Sequence, residues 1–339
     1  MRGNAVRWGV RLVGPLVLVL VLVRLGDTGA LARALVRSAP GPLLVAVALN
    51  ALNLELKVAR TQLLARLRGY RYSTRQAWRA MLPSLYLGMV TPGRVGDALR
   101  VQYLRHDLGV PYGEGLAMVV VDRLCDLYVL VGFVVLAAAR FASVLRGSLG
   151  FVTWLAVAAT ALLPLLLLVR GPIDLLFGAL ARRVTKDTAG ASRFLEVVRA
   201  LIRPRLAAAL PLTVGAFLVN YAQGWLVAES LGLTLRFVDV VHLMAVASLL
   251  GLLPISISGA GVREAFLALV FPALGLAAEQ GVAFGLLVFA AIYLACSLAG
   301  LVAWQVAPPP LASDDADGGG PGETRLASPR HPGEEDAVR

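Results

Sequence analysis

The sequence predicts an all-α, polytopic integral membrane protein: about six transmembrane helices plus two re-entrant helical hairpins in an inverted repeat. Three observations carry this. Hydrophobic residues make up 58% of 339 positions and mean hydropathy is +0.76, with several apolar runs long enough to cross a hydrocarbon core of roughly 30 Å. Arginines gather between those runs rather than within them, as the positive-inside rule requires of cytoplasmic loops. Finally, two apolar segments break at Pro/Gly sequences that carry charge, and the second break repeats the layout of the first.

The formal net charge of +11 does not point to nucleic acid, because loop arginines already account for it. Cys125 and Cys296 lie far apart in apolar helices without metal-ligand spacing, so both read as small core residues and no metal or cofactor is expected.

In chain order, Leu12 to Val23 follows Arg2, Arg7 and Arg11 and reads as a retained first helix with a cytoplasmic N-terminus. Pro42 to Val58 is the second span. Arg60, Arg66, Arg68, Arg71, Arg75 and Arg79 follow it, the strongest cytoplasmic signal in the chain. Ala80 to Val90 is too short to cross and stops at Thr91-Pro92-Gly93, beyond which Asp97 to Asp107 is helix-compatible and polar on one face. A re-entrant hairpin satisfies these facts, and its tip must face protein or a wet cavity, since lipid cannot satisfy broken backbone. Gly115 to Ala139 and Phe151 to Val169 span, and a second basic loop follows, whose segment Ile173 to Ile202 is expected to lie on the cytoplasmic leaflet. Leu210 to Leu231 spans again. Phe237 to Leu253, a Ser/Gly break and Val262 to Leu274 form the second hairpin, and Val282 to Val306 closes the membrane part. The chain thus divides into a membrane domain, 1–306, with repeats of about 8–140 and 149–306, and a disordered cytoplasmic tail, 307–339, rich in Pro, Gly and acid.

The repeat aligns Leu87-Gly88 with Leu250-Gly251, Asp97 with Glu264 and Gly115 with Gly281. Three intervening crossings make the second copy start from the opposite side, and inverted repeats with broken helices are the common plan of secondary transporters. The bland alternative is chance recurrence of small residues in Leu/Ala/Gly-rich helices.

In this order, Thr91-Pro92-Gly93-Arg94-Val95-Gly96-Asp97, Asp122-Arg123-Leu124-Cys125-Asp126 and Ser258-Gly259-Ala260-Gly261-Val262-Arg263-Glu264 resemble the signature of the lysylphosphatidylglycerol synthase transmembrane region, or flippase-like domain family. The resemblance covers roughly Leu12 to Val306. Asp97 and Asp122 stand where the family usually has Glu, which keeps the charge. It implies a lipid flippase. The soluble synthase domain of the best-known members is not seen in this sequence, so the aminoacylated lipid is not implied as substrate.

The candidate site comprises Arg94, Asp97, Arg100, Asp122, Arg123, Asp126, Arg263 and Glu264, with hairpin breaks at Pro92, Gly93, Gly96, Pro254, Ser258, Gly259 and Gly261. Asp122 and Asp126 share a helix face, with Arg123 rotated away. These charges serve a headgroup site or gate, or alternatively a structural bridge from Arg123 to Asp97 or Glu264. Arg94, Arg100 and Arg263 are natural phosphate ligands, with Arg100 facing cytoplasmic water as the alternative. His242 is a proton relay or a hydrogen-bonded core residue. Asn50, Asn53, Glu55, Asn220, Tyr221 and Gln223 line the cavity or hold helices together.

The expected function is movement of an anionic or glycosylated lipid, polyprenyl-phosphate-linked lipids included, between leaflets of the plasma membrane, without enzymatic activity. The partner is a membrane lipid, with a soluble or membrane synthase as a further one. The rival reading is a membrane subunit or scaffold of a lipid-modifying or polyprenyl-phosphate-dependent glycosyltransferase system.

Overall fold

The computed structural model describes residues 33, 35–140, 154, 155, 158, 188–202, 204–252, 261–306 and 308, and among them the regular structure is helical. The first helix, the span from Phe151 to Val169 except for its residues 154, 155 and 158, the turn containing Pro254, Ser258 and Gly259, and the tail lie outside the described residues.

Helix α1 runs Pro40–Leu67 with proline in its first turn, where a missing N–H costs nothing. α2, Thr74–Val90, starts at a capping box in which the Ser73 hydroxyl accepts from the Gln76 amide. A 3-10 turn over Pro92–Leu99 leads to α3, Arg100–Leu108, which ends on left-handed Gly109. α4 covers Tyr112–Arg140 and α5 Thr188–Leu201. α6 is Ala209–Ser230, α7 Phe237–Gly251, α8 Val262–Val270 and α9 Ala278–Val306, with a π turn at Phe289–Leu294. Three of the described helical stretches, Pro40–Leu67, Arg205–Ser230 and Ala278–Val306, are long and apolar enough to cross a membrane. α4 has the length too, at about 1.5 Å per residue, but carries Asp122, Arg123 and Asp126.

The centre of the fold is the pair α1 and α6, which pack along their length. Asn53 Nδ2 donates to Ala216 O (2.6 Å), Arg60 Nη1 to Thr213 Oγ1 (3.0 Å) and Gln223 Nε2 to Asn50 Oδ1 (2.8 Å), so the two helices run antiparallel. One sequence offset carries Asn53 onto Ala216, Arg60 onto Gln223 and Asn50 onto Thr213. The Arg60–Thr213 bond is therefore the counterpart of the Gln223–Asn50 bond. The same exchange relates the outer contacts: α2 packs on the second half of α9 as α7 packs on α4, and α3 on α4 as α8 on α9. Gly115 lets Val101 approach as Gly281 lets Leu267 approach. Two spanning helices that are counterparts and antiparallel require an exchange axis across them, which makes the repeat inverted.

Two expectations are corrected. α1 does not end near Val58: it continues to Leu67, so Arg60 and Arg66 are helical rather than loop residues. The reason is that Arg60 finds buried acids and has no need of water. The second correction concerns α5, the described part of the expected surface helix. It packs on α4 and buries Phe194, Leu195, Val197, Val198 and Leu201 in the protein core, so its apolar face meets protein instead of lipid.

Candidate functional site

The first break is built by its own sequence. Thr91 Oγ1 donates to Leu87 O (2.7 Å) and accepts from the Gly96 amide (2.8 Å), while proline at position 92 brings no N–H to satisfy. Gly96 lies so close to the backbone of Leu87 and Gly88 that any Cβ would collide with it. Gly88 in turn leaves room for the Asp97 carboxylate against α2. Thr91, Gly96 and Gly88 thereby fold the chain back and press an acid into the helix it has just left. The side chains of Pro92 and Arg94 and the placement of Gly93 as a cavity wall lie outside the described side chains.

Asp97 meets Arg123, Nη1 to Oδ2 3.3 Å, at the edge of a buried ionic network. Asp122 is its hub. One carboxylate oxygen accepts from Arg60 Nε (2.6 Å); the other accepts from Arg100 Nη1 and Nη2 (3.1 Å each) and Arg123 Nη2 (2.8 Å). Asp126 takes Arg60 Nη1 at 2.6 Å and lies 3.4 Å from Arg123 Nη1. Three guanidinium groups thus balance three carboxylates across α1, the 3-10 turn, α3 and α4. Such a cluster is retained only where every charge has a partner, because an unpaired one costs several kcal/mol.

Several expectations change here. Arg100 does not face water: its side chain is buried on Asp122. Arg123 is not rotated away from its neighbouring acids but reaches both, since a long guanidinium side chain spans the helix surface that separates them. Arg123 does pair with a hairpin acid, as expected, and of the two candidates that acid is Asp97. Arg60 was missed, because a basic residue after an apolar run reads as a loop charge. Its signal was present: Asn50, Asn53, Lys57 and Arg60 recur at helical spacing on one face of α1.

In the second half, Glu264 is fully buried, accepting from the Gly261 amide (2.6 Å) and from Arg263 Nε (2.9 Å) and Nη2 (2.6 Å). Gly261 holds φ at 88°, a conformation open to glycine. The Arg263 guanidinium also lies 5.3 Å from the Phe289 ring centre and 5.5 Å from that of Tyr293, both on the π turn.

Between the halves is a cavity of about 320 Å³. Arg123, Asp126, Arg263, Lys57, Asn53 and Asn220 give it polarity, with Thr91 from the first hairpin and Gly251 and Leu252 from the second at its wall. The repeat is visible in the lining: Asn53 faces Ala216, Lys57 has Asn220 as counterpart, Met89 has Leu252, and, in the register that matches Gly115 with Gly281, Asp126 has Ile292. The cavity therefore sits on the exchange axis, with Lys57, Arg123 and Asp126 on the first half and a more apolar wall on the second, where Arg263, held by Glu264, is the charged group of the lining. Of the predicted site residues, Arg123, Asp126 and Arg263 line it; Asp97, Asp122 and Glu264 are buried partners of those that do, and Arg100 is buried one step further back, on Asp122. Asn50 also lines it, while Tyr221 packs against Phe133 and Gln223 bonds Asn50 and Ala46 O.

The family model for the lysylphosphatidylglycerol synthase TM region matches residues 8–300. The chain belongs to that family. It is accordingly a membrane protein with a lipid-related function. No curated protein matches the chain. Among the described residues, the ionic network and the central cavity are where buried charge and polar lining come together.

Proposed function

We propose that the protein moves an anionic or glycosylated lipid between leaflets, with the headgroup held in the central cavity and the tails left in the bilayer. The observation that carries this reading is the position of the cavity on the exchange axis, between two broken hairpins. A site there can be opened toward one side by one half and toward the other by its counterpart, the logic of alternating access. Arg123 has a quarter of its side chain exposed at the cavity, and a guanidinium fork suits a phosphate. Entry of an anion competes with Asp97 and Asp126 for Arg123, which couples headgroup binding to the position of the first hairpin. In this reading the protein is a plasma-membrane transporter with the Arg68 end of α1 in the cytoplasm, and it performs no chemistry on the lipid.

The test is movement of fluorescent phospholipids and glycolipids in vesicles containing only this protein. Asp97→Asn and Glu264→Gln change charge at constant volume, and each is expected to slow transport at least tenfold, about 1.4 kcal/mol, while the protein still inserts. Wild-type protein that moves none of these lipids alone, yet supports a co-reconstituted synthase, decides for the membrane-subunit reading instead.

A further inference from the structure

The inference rests on the lipid-moving reading and concerns the route to the cavity. Glu55 lies two residues beyond Asn53, which meets its own counterpart Ala216 where α1 crosses α6. At about 1.5 Å per residue, Glu55 is within roughly 3 Å of that level along the spanning helix. Two residues also turn the helix by about 200°, so Glu55 points away from the face of Asn53, Lys57 and Arg60. It is exposed, and its carboxylate accepts a 2.6 Å hydrogen bond from Trp78 Nε1 on α2.

A carboxylate on the outer face of a spanning helix carries a cost, up to about 2.5–3.5 kcal/mol at the bilayer centre on insertion scales. The other half of the molecule does without it: the same offset carries Glu55 onto Leu218, itself exposed, and Trp78 onto Val241. The fold therefore has no general need for an acid here. From the inside, the same two helices wall the cavity with Asn53 and Lys57 of α1 and Leu85 and Met89 of α2. One seam thus has the cavity at its inner edge and the Glu55–Trp78 bond at its outer edge. Farther along, Gln62 Nε2 bonds Tyr72 O (2.9 Å) and Thr74 Oγ1 (3.1 Å), which closes the end of the seam near the α1–α2 turn.

We infer that the seam between α1 and α2, latched by Glu55 and Trp78, is the lateral portal through which the headgroup passes between bilayer and cavity. Opening requires that the indole bond be exchanged, and the carboxylate then accepts from a hydroxyl or ammonium group of the headgroup. Lys57, reaching the cavity from the same helix, has the charge to follow the phosphate. The lipid class so defined carries a phosphate and a hydrogen-bond donor in one headgroup.

The experiment uses the full chain in vesicles, in a Cys125→Ser, Cys296→Ala background whose own transport rate is the reference. A spin label at Glu55→Cys is expected to be reached by a water-soluble nickel chelate, whereas the same label at Leu218→Cys is reached by oxygen alone. Bridging Glu55→Cys to Trp78→Cys with a short reductant-cleavable cross-linker is expected to cut lipid movement at least tenfold, with recovery on cleavage. Bridging Gln62→Cys to Thr74→Cys is expected to leave it within twofold. A label at residue 55 that behaves like one at residue 218, or undiminished transport with the seam bridged, overturns the portal alone. Absence of transport in the unbridged reference overturns the transport reading and the portal with it.

Discussion

Replacing Asp122 by Asn tests the ionic network at its hub. Asp122 is nearly inaccessible and receives four hydrogen bonds from three arginines, two of which, Arg60 and Arg100, are themselves buried. Asn offers one oxygen where the carboxylate offers two. Its amide nitrogen must then point at a guanidinium N–H, whichever way it is flipped. Removing one partner of a buried ionic cluster leaves charge uncompensated, which costs about 3–5 kcal/mol. The variant is expected to unfold earlier by that amount in reversible detergent titration followed by circular dichroism. Arg60→Met removes the closest donor, so the Arg60→Met/Asp122→Asn double variant is expected to be less unstable than the sum, with a coupling of about 1–3 kcal/mol. Arg236→Gln, which removes a solvent-exposed arginine from the buried Asp239 in the first turn of α7, serves as the comparison and is expected to shift the midpoint far less than Asp122→Asn does, because the arginine itself is solvated. A loss below about 1 kcal/mol for Asp122→Asn, or strict additivity, would refute the view that these charges hold one another in place.

Packing between halves gives a second test. A Cβ at Gly300 would collide with the Leu82 carbonyl oxygen and meet Tyr86 Cβ at 3.1 Å, so Gly300→Ala is expected to cost about 1–3 kcal/mol in the same titration. Gly132 has open space, and Gly132→Ala is expected to gain about 0.5–1 kcal/mol; equal effects at both sites would remove the α2–α9 contact as an explanation. For orientation, single cysteines at Arg68 and beyond Pro308 are expected to label from the same side and one at Arg146 from the other. A tail labelled opposite to residue 68 would contradict the even number of crossings.

The sequence by itself determined the helical class and the breaks, because hydropathy, Pro/Gly punctuation and helix length are local properties. α7 and the segment after Gly261 begin within a residue of their expected starts, and α6 within one. Asn50, Asn53, Lys57 and Arg60 on one helical face, echoed by Thr213, Ala216, Asn220 and Gln223 at the same spacing, even encoded the central pairing. Charge partners are another matter. Arg60 pairs with an acid 62 residues away and a threonine 153 residues away, and local sequence cannot separate such an arginine from its loop neighbours Arg68 and Arg71. Whether Arg100 met water or Asp122, and whether Arg123 took Asp97 or Glu264, depended on how α3 and α4 fold against each other. Tertiary structure decided these points because a buried charge is defined by its neighbours in space, and the chain brings those neighbours together only when both halves close on α1 and α6.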